Sequence, residues 1–335
     1  MDLLELTRRL IAIDSVTGNE AGLVRFLKDF LESAGMAVTL QPIDGGRSNL
    51  FAVFEEPSVV LSTHLDTVPP FIGPSENDRR IYGRGACDAK GAMAAMVQAA
   101  LTLAREGVRD AGLLFVAGEE KGSDGARAAN ALPNRCRFLI NGEPTENRLA
   151  LGSKGALRFR LTAVGRPAHS AYPERGESAI EKLLIGLNRL RGMPLLTHGV
   201  LGPESLNIGT LAGGTAANII PDRANAEVMM RCVGPASETE RRVRQAVGAG
   251  VGMETLFDCD PVFLEAVDGF ETTVVSFTTD IPLLNRWGRP LLLGPGSILD
   301  AHAPDESVAI ADLEESVDLY RRLVRRLRES GEIRP

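Results

Sequence analysis

Several acids and histidines in this chain stand where apolar runs end or where glycines crowd, the positions from which side chains can be aimed into a cavity. Ser62-Thr63-His64-Leu65-Asp66 follows the apolar run 59–61. In a His-x-Asp at a strand end the imidazole can bind metal, while the carboxylate accepts the other ring N–H and fixes the tautomer. Gly83, Gly85 and Gly91 surround Asp88 just before an apolar, helix-length stretch. Ala117-Gly118-Glu119-Glu120 closes the run 113–116, and two adjacent acids at the end of a buried strand carry a desolvation cost that a cation removes. Adjacent residues point in different directions, so one can hold metal while the other handles a proton. Asn141-Gly142-Glu143 ends another buried run, and far downstream Gly294-Pro295-Gly296-Ser297 precedes Ala301-His302-Ala303-Pro304-Asp305-Glu306. The glycine-rich turn at Gly294 and Gly296 offers backbone N–H groups to an anion.

Taken singly, each segment also fits an ordinary turn or a solvated charge pair. Together they supply two histidines and three carboxylates, with a glutamate to spare. Zinc and similar ions take nitrogen and oxygen ligands, and two ions sharing one carboxylate would use the set fully. Two other chemistries are excluded. Asp88 stands where the third glycine of a dinucleotide fingerprint belongs, and Lys90 precedes its glycine rather than following one as in a phosphate loop.

The elements that position these residues come from periodicity. Residues 3–13 have helical apolar spacing, and Thr17 and Asn19 offer N-cap chemistry to a second helix reaching about residue 34. Strand-sized apolar runs follow at 37–40, 50–54 and 59–62, then an Ala- and Met-rich helix at 89–105, then buried strands at 112–116 and 138–140. This is the α/β pattern of a largely covered mixed sheet with helices on its faces. From 156 the strands alternate apolar and polar residues, and the order becomes strand 156–164, helix 177–191, strands 205–211 and 223–231, helix 236–247, strand 254–259. That β-α-β-β-α-β order predicts a ferredoxin-like α+β domain. A strand at 289–293 and a helix at 310–329 return to the first pattern. One domain, 1–154 with 262–335, is therefore interrupted by an inserted one, 155–261.

Composition fits a soluble globular chain: 335 residues, 44% hydrophobic, 24% charged, formal net charge −7. The acidic balance argues against nucleic acid or an anionic membrane as partner. Asp2 and Glu5 interrupt the N-terminal apolar residues, so no signal peptide or span is expected there. Cys87, Cys136, Cys232 and Cys259 form no CxxC pair, which fits a reducing compartment. A cytoplasmic protein is expected.

The runs STHLDTVPP, GRGACDAKGAMAAM, AGEEKGSDGA, NGEPTE, GRPAHSAYP, GGTAANIIP and GPGSILDAHAPDES occur in that order. In this the chain resembles the aminoacylase / acetylornithine deacetylase / succinyl-diaminopimelate desuccinylase family of di-zinc metallohydrolases, over residues 3–327. The resemblance implies a zinc-exopeptidase-like catalytic domain, with 155–261 as a lid and dimerisation domain of a homodimer. It implies two Zn2+, with Co2+ or Mn2+ as substitutes. His64, Asp88, Glu120, Glu143 and His302 would be ligands, Asp88 bridging, and Asp66 would orient His64. Glu119 would be the general base, and His169 would reach the substrate carbonyl. Asn218 and Arg231 would contact substrate, Arg231 through a carboxylate. The implied substrate is a small N-acyl, above all N-acetyl, L-amino acid, as in acetylornithine or acetyl-lysine deacetylases. A dipeptidase or aminopeptidase with the same metals is the alternative, although dipeptidase relatives usually carry an acid where this chain has Ala89. A catalytically silent metal-binding protein is a third reading, disfavoured because Glu119 is kept.

Overall fold

The computed structural model describes residues 1–329 and divides the chain into two compact units. The first comprises Met1–Leu151, Leu264–Thr273 and the chain from Thr279 onward. Its centre is a six-stranded mixed sheet in the order Ala37–Pro42, Ser48–Val53, Ala111–Val116, Val59–His64, Phe138–Asn141, Arg289–Leu292. The last four run parallel, and the first two form an antiparallel hairpin on their edge. Parallel strands must be buried on both faces, and these are. Val59, Leu61, Leu113 and Phe115 face one apolar cluster, while Val60, Leu114 and Val116 face another.

Helices Leu3–Ile11, Ala21–Ser33, Lys90–Arg105 and Ile310–Glu329 contribute to the first cluster. Lys90–Arg105 is buried on nearly every side, because its alanines let neighbouring helices and strands approach closely. The opposite face is covered by Asp124–Ala129 and by the fully buried Trp287, whose ring meets Phe51 edge-on at 5.4 Å. The helix Ala21–Ser33 departs from the expected cap: Glu20 precedes it with no side-chain cap bond. Thr17 instead turns its hydroxyl inward to donate to Asp66 at 2.8 Å.

Since parallel strands all end on one side, the loops after Val59–His64, Ala111–Val116, Phe138–Asn141 and Arg289–Leu292 leave a common sheet edge. In open α/β sheets that edge is where ligands bind.

The second unit is Gly152–Phe263 with Val274–Thr278. The return of the chain at Val274–Thr278 carries no periodic signal and was not expected from the sequence. Four antiparallel strands lie in the order Ser205–Gly213, Arg223–Cys232, Gly155–Val164, Gly252–Cys259. Numbered along the chain this is 2-3-1-4, the ferredoxin-like arrangement. Helices Ala179–Arg191 and Ala236–Val247 share its core, where Leu157, Phe159 and Leu161 meet Leu183, Leu187 and Val243. Ser178 caps the first of these helices by accepting the Glu181 N–H. No described helix is long and apolar enough to cross a membrane.

Trp287→Ala removes a fully buried ring and its N–H bond to the Ala129 carbonyl. It is expected to destabilise the first unit by about 3–5 kcal/mol, read as a lowered denaturation midpoint by circular dichroism.

Candidate metal centre

His64 is the last residue of its strand and is 1% exposed. Its Nε2 lies 2.9 Å from Asp88 Oδ1 and 3.7 Å from Glu143 Oε2. The other Asp88 oxygen, Oδ2, lies 3.3 Å from His302 Nε2, which is itself 3.1 Å from Glu120 Oε1. Two donor groups result, His64–Asp88–Glu143 and Asp88–Glu120–His302, each with its ligand atoms within 4.8 Å of one another. Asp88 belongs to both and sends one oxygen to each. His64, Glu120, Glu143 and His302 lie at the end of, or in the loop after, the four parallel strands, and Asp88 lies just before the helix Lys90–Arg105, whose N-terminus favours negative charge.

Asp66 contacts His64, as expected, but chiefly through its backbone, and its carboxylate has further partners. The His64 Nδ1 contact goes to the Asp66 main-chain carbonyl at 2.9 Å, with the carboxylate farther away at 3.6 Å. That carboxylate also accepts the backbone N–H of Glu119 at 3.0 Å, that of Glu120 at 3.2 Å, and the Thr17 hydroxyl. Asp66 therefore fixes the tautomer of His64 through its backbone and the turn bearing Glu119 and Glu120 through its side chain. Gly118 makes that turn at φ +79, where an added Cβ would lie 2.2 Å from Asp124 Oδ1.

The electrostatics are those of too many acids in too little water. Desolvation pushes the Glu119 carboxyl well above its usual range and raises Glu143 to about 8 and Asp280 to about 6. Hydrogen bonds to Asp88 and Glu120 raise His302 to about 10. Burial opposes a charge on His64, but Glu143 and the bonds to Asp66 and Asp88 outweigh it and raise its pKa. Burial likewise opposes the Asp88 carboxylate, yet bonds from the two imidazoles hold its pKa well below the ordinary value. Glu143 Oε1 is buried with no hydrogen-bond partner among the described residues. The donor set, the shared carboxylate and this orphaned oxygen fit divalent cations.

Asp280, also buried, was missed at the sequence level, as were roles for Thr17, Arg84 and Glu306. Glu306 and Arg84 had a signal, since each lies four residues from a candidate ligand, His302 and Asp88 respectively, in the same motif run.

The Gly294 N–H expected to serve an anion donates to Thr145 Oγ1 at 3.0 Å. Its lack of a side chain matters for packing, because a Cβ would lie 2.5 Å from the Glu143 carbonyl. Gly296, at φ +79, similarly lies against the Cys87 thiol. The four cysteines are all free.

His169, Asn218 and Arg231 belong to the second unit. His169 is exposed, and its Nδ1 accepts the Ala171 N–H at 3.1 Å, which leaves the neutral ring's proton on Nε2. The Asn218 carbonyl accepts from Ser170, and Ile219 bridges His169, so these two predicted substrate residues are neighbours. Arg231 lies on Arg223–Cys232, half-buried, its guanidinium without a hydrogen bond or ion pair among the described residues.

A sequence model of Peptidase family M20/M25/M40 matches residues 60–326. A probable carboxypeptidase of Aspergillus clavatus is 39% identical, over 96% of this chain and 82% of its own. The solved tripeptidase of Staphylococcus aureus superposes with a TM-score of 0.81 at 22% identity, covering 98% of each chain, a likeness of fold. A dinuclear metal binding peptidase of the M20 family from Bacillus subtilis gives 0.70 at 14% identity, over 96% of each chain. A family match over most of the length, joined to a relative at this identity, makes the chain a member of Peptidase family M20/M25/M40 and a hydrolase.

Proposed function

We propose that this chain is a two-metal amidohydrolase that releases an amino acid, with its free carboxylate, from a short N-acyl or peptidyl substrate. The observation that carries the reading is the pair of donor groups joined through Asp88, with Glu119 held beside them by Asp66. The naming of the Aspergillus relative as a probable carboxypeptidase supports peptides as substrates. N-acetyl amino acids, the substrates expected from the motifs, are small members of the same chemical class.

His64, Asp88 and Glu143 would hold one ion and Asp88, Glu120 and His302 the other, zinc being the ion this donor set suits. Bound there, the ions supply Lewis acidity toward a carbonyl and toward water. Glu119 takes a proton from the attacking water on a carboxylate oxygen, then delivers it to the amine nitrogen as the C–N bond breaks. The Nε2–H of His169, set by the Ala171 bond, is a donor suited to the carbonyl oxygen as negative charge develops on it. Asn218, its neighbour, adds a polar contact to the substrate. Arg231 offers an unpaired guanidinium to the carboxylate. The same reading carries a cytoplasmic homodimer acting on a small molecule.

Amine release from N-acetyl amino acids, dipeptides and their carboxamides, with and without chelator, tests the proposal. Chelator-sensitive cleavage confined to free carboxylates supports it, and metal-independent turnover overturns it. Glu119→Gln is expected to lower kcat by about 10²–10⁴-fold while the protein still takes up both ions; activity near wild type would remove Glu119 from its role. Arg231→Ala is expected to raise KM about 10–100-fold for a free carboxylate, with little change for the carboxamide. An equal loss on both substrates would count against a carboxylate contact.

A further inference from the structure

Two segments far apart in sequence carry the shared carboxylate and the second imidazole: residues 80–91 with Asp88, and residues 296–309 with His302. They pair as strands at Arg80–Tyr82 and Ser307–Ala309. Between those strands and the ligands sits Glu306, 1% exposed. Its Oε1 accepts three backbone N–H groups, from Gly85 at 2.9 Å, Cys87 at 3.2 Å and Asp88 at 3.1 Å. Its Oε2 accepts from the Arg84 guanidinium at 2.6 Å. The Gly83 N–H donates to its main-chain carbonyl. Arg84 in turn donates to the carbonyl of Ala303, the residue after His302, at 3.2 Å.

Converging amides form an anion-binding concavity, and here the anion is the chain's own side chain. The last of the three amides is that of Asp88 itself, so the direction of its carboxylate depends on this contact. His302 stands at φ +62, a conformation that a non-glycine residue keeps when its surroundings over-determine it. The Arg84–Ala303 bond is one such constraint. A carboxylate this buried is retained only with donors and a counter-charge, and Arg84 supplies the charge.

We propose that Glu306, held by Arg84, is the positioning residue that sets Asp88 against His302 and so controls metal affinity at the Asp88–Glu120–His302 group. The proposal rests on the two-metal reading above. Asp88 serves both groups, but only the second also takes His302, whose neighbour Ala303 is held by Arg84, so the effect falls mainly on the Asp88–Glu120–His302 ion.

The test is cobalt titration of metal-free, full-length protein, followed by visible absorption. It compares wild type with Glu306→Gln and with the double variant Arg84→Met/Glu306→Gln, which leaves neither charge alone. Wild type is expected to bind two equivalents. In the variants one equivalent keeps its affinity, while the other weakens about 10–100-fold and its cobalt bands shift. Two unchanged affinities in either folded variant overturn the Glu306 assignment and leave the two-metal reading standing. Equal weakening of both ions also overturns it, since that is the mark of a merely structural role. Wild-type protein that takes up no cobalt overturns both.

Discussion

Six carboxylates, those of Asp66, Asp88, Glu119, Glu120, Glu143 and Asp280, gather about two imidazoles at the edge of a buried sheet, and this excess of negative charge is what the surrounding structure has to accommodate. Burial disfavours each charge, and like charges at close range disfavour one another. Proteins keep such clusters where cations complete them. The fold answers with rigidity: four parallel strands aim their loops at one edge, and Asp66, Thr17, Arg84 and Glu306 hold the loops there. Asp66 was expected to touch His64; the contacts of Thr17, Arg84 and Glu306 were not expected, yet they tie down the segments that carry Asp66, Asp88 and His302.

The two units divide the physical tasks. Covered parallel strands and a nearly enclosed alanine-rich helix give the first unit a stiff frame for metal ligands. The second unit is a four-stranded antiparallel sheet with two helices in its core, and its exposed residues include His169 and Asn218. Both lie in loops outside its strands, joined by the bridge between His169 and Ile219.

Much of this was legible in the sequence, for identifiable reasons. The ligand-bearing segments end apolar runs, because a parallel strand is buried along its length and its chemistry begins where the burial stops. The ferredoxin-like unit was legible because half-exposed strands alternate. What stayed hidden depends on distant segments meeting. Thr17 carries the chemistry of a helix cap, and only the proximity of Asp66, forty-nine positions on, shows its other use. Glu306 and Arg84 are 222 positions apart, and Asp280 lies in a stretch with no periodic signal. Gly294 carried an anion-binding signal, but its N–H is taken by Thr145 and its missing side chain makes room for the backbone of Glu143.

The central claim is that divalent cations complete the carboxylate cluster. Thermal unfolding of chelator-stripped protein at increasing zinc concentration tests it most directly. A ligand that binds only the folded state stabilises it by about 4 kcal/mol at a thousandfold excess over its Kd. The melting temperature should therefore climb with zinc in the wild type, and the climb should largely vanish in Asp88→Asn, which strikes both donor groups at once. A melting temperature indifferent to zinc, or a climb that survives loss of Asp88, would contradict the account.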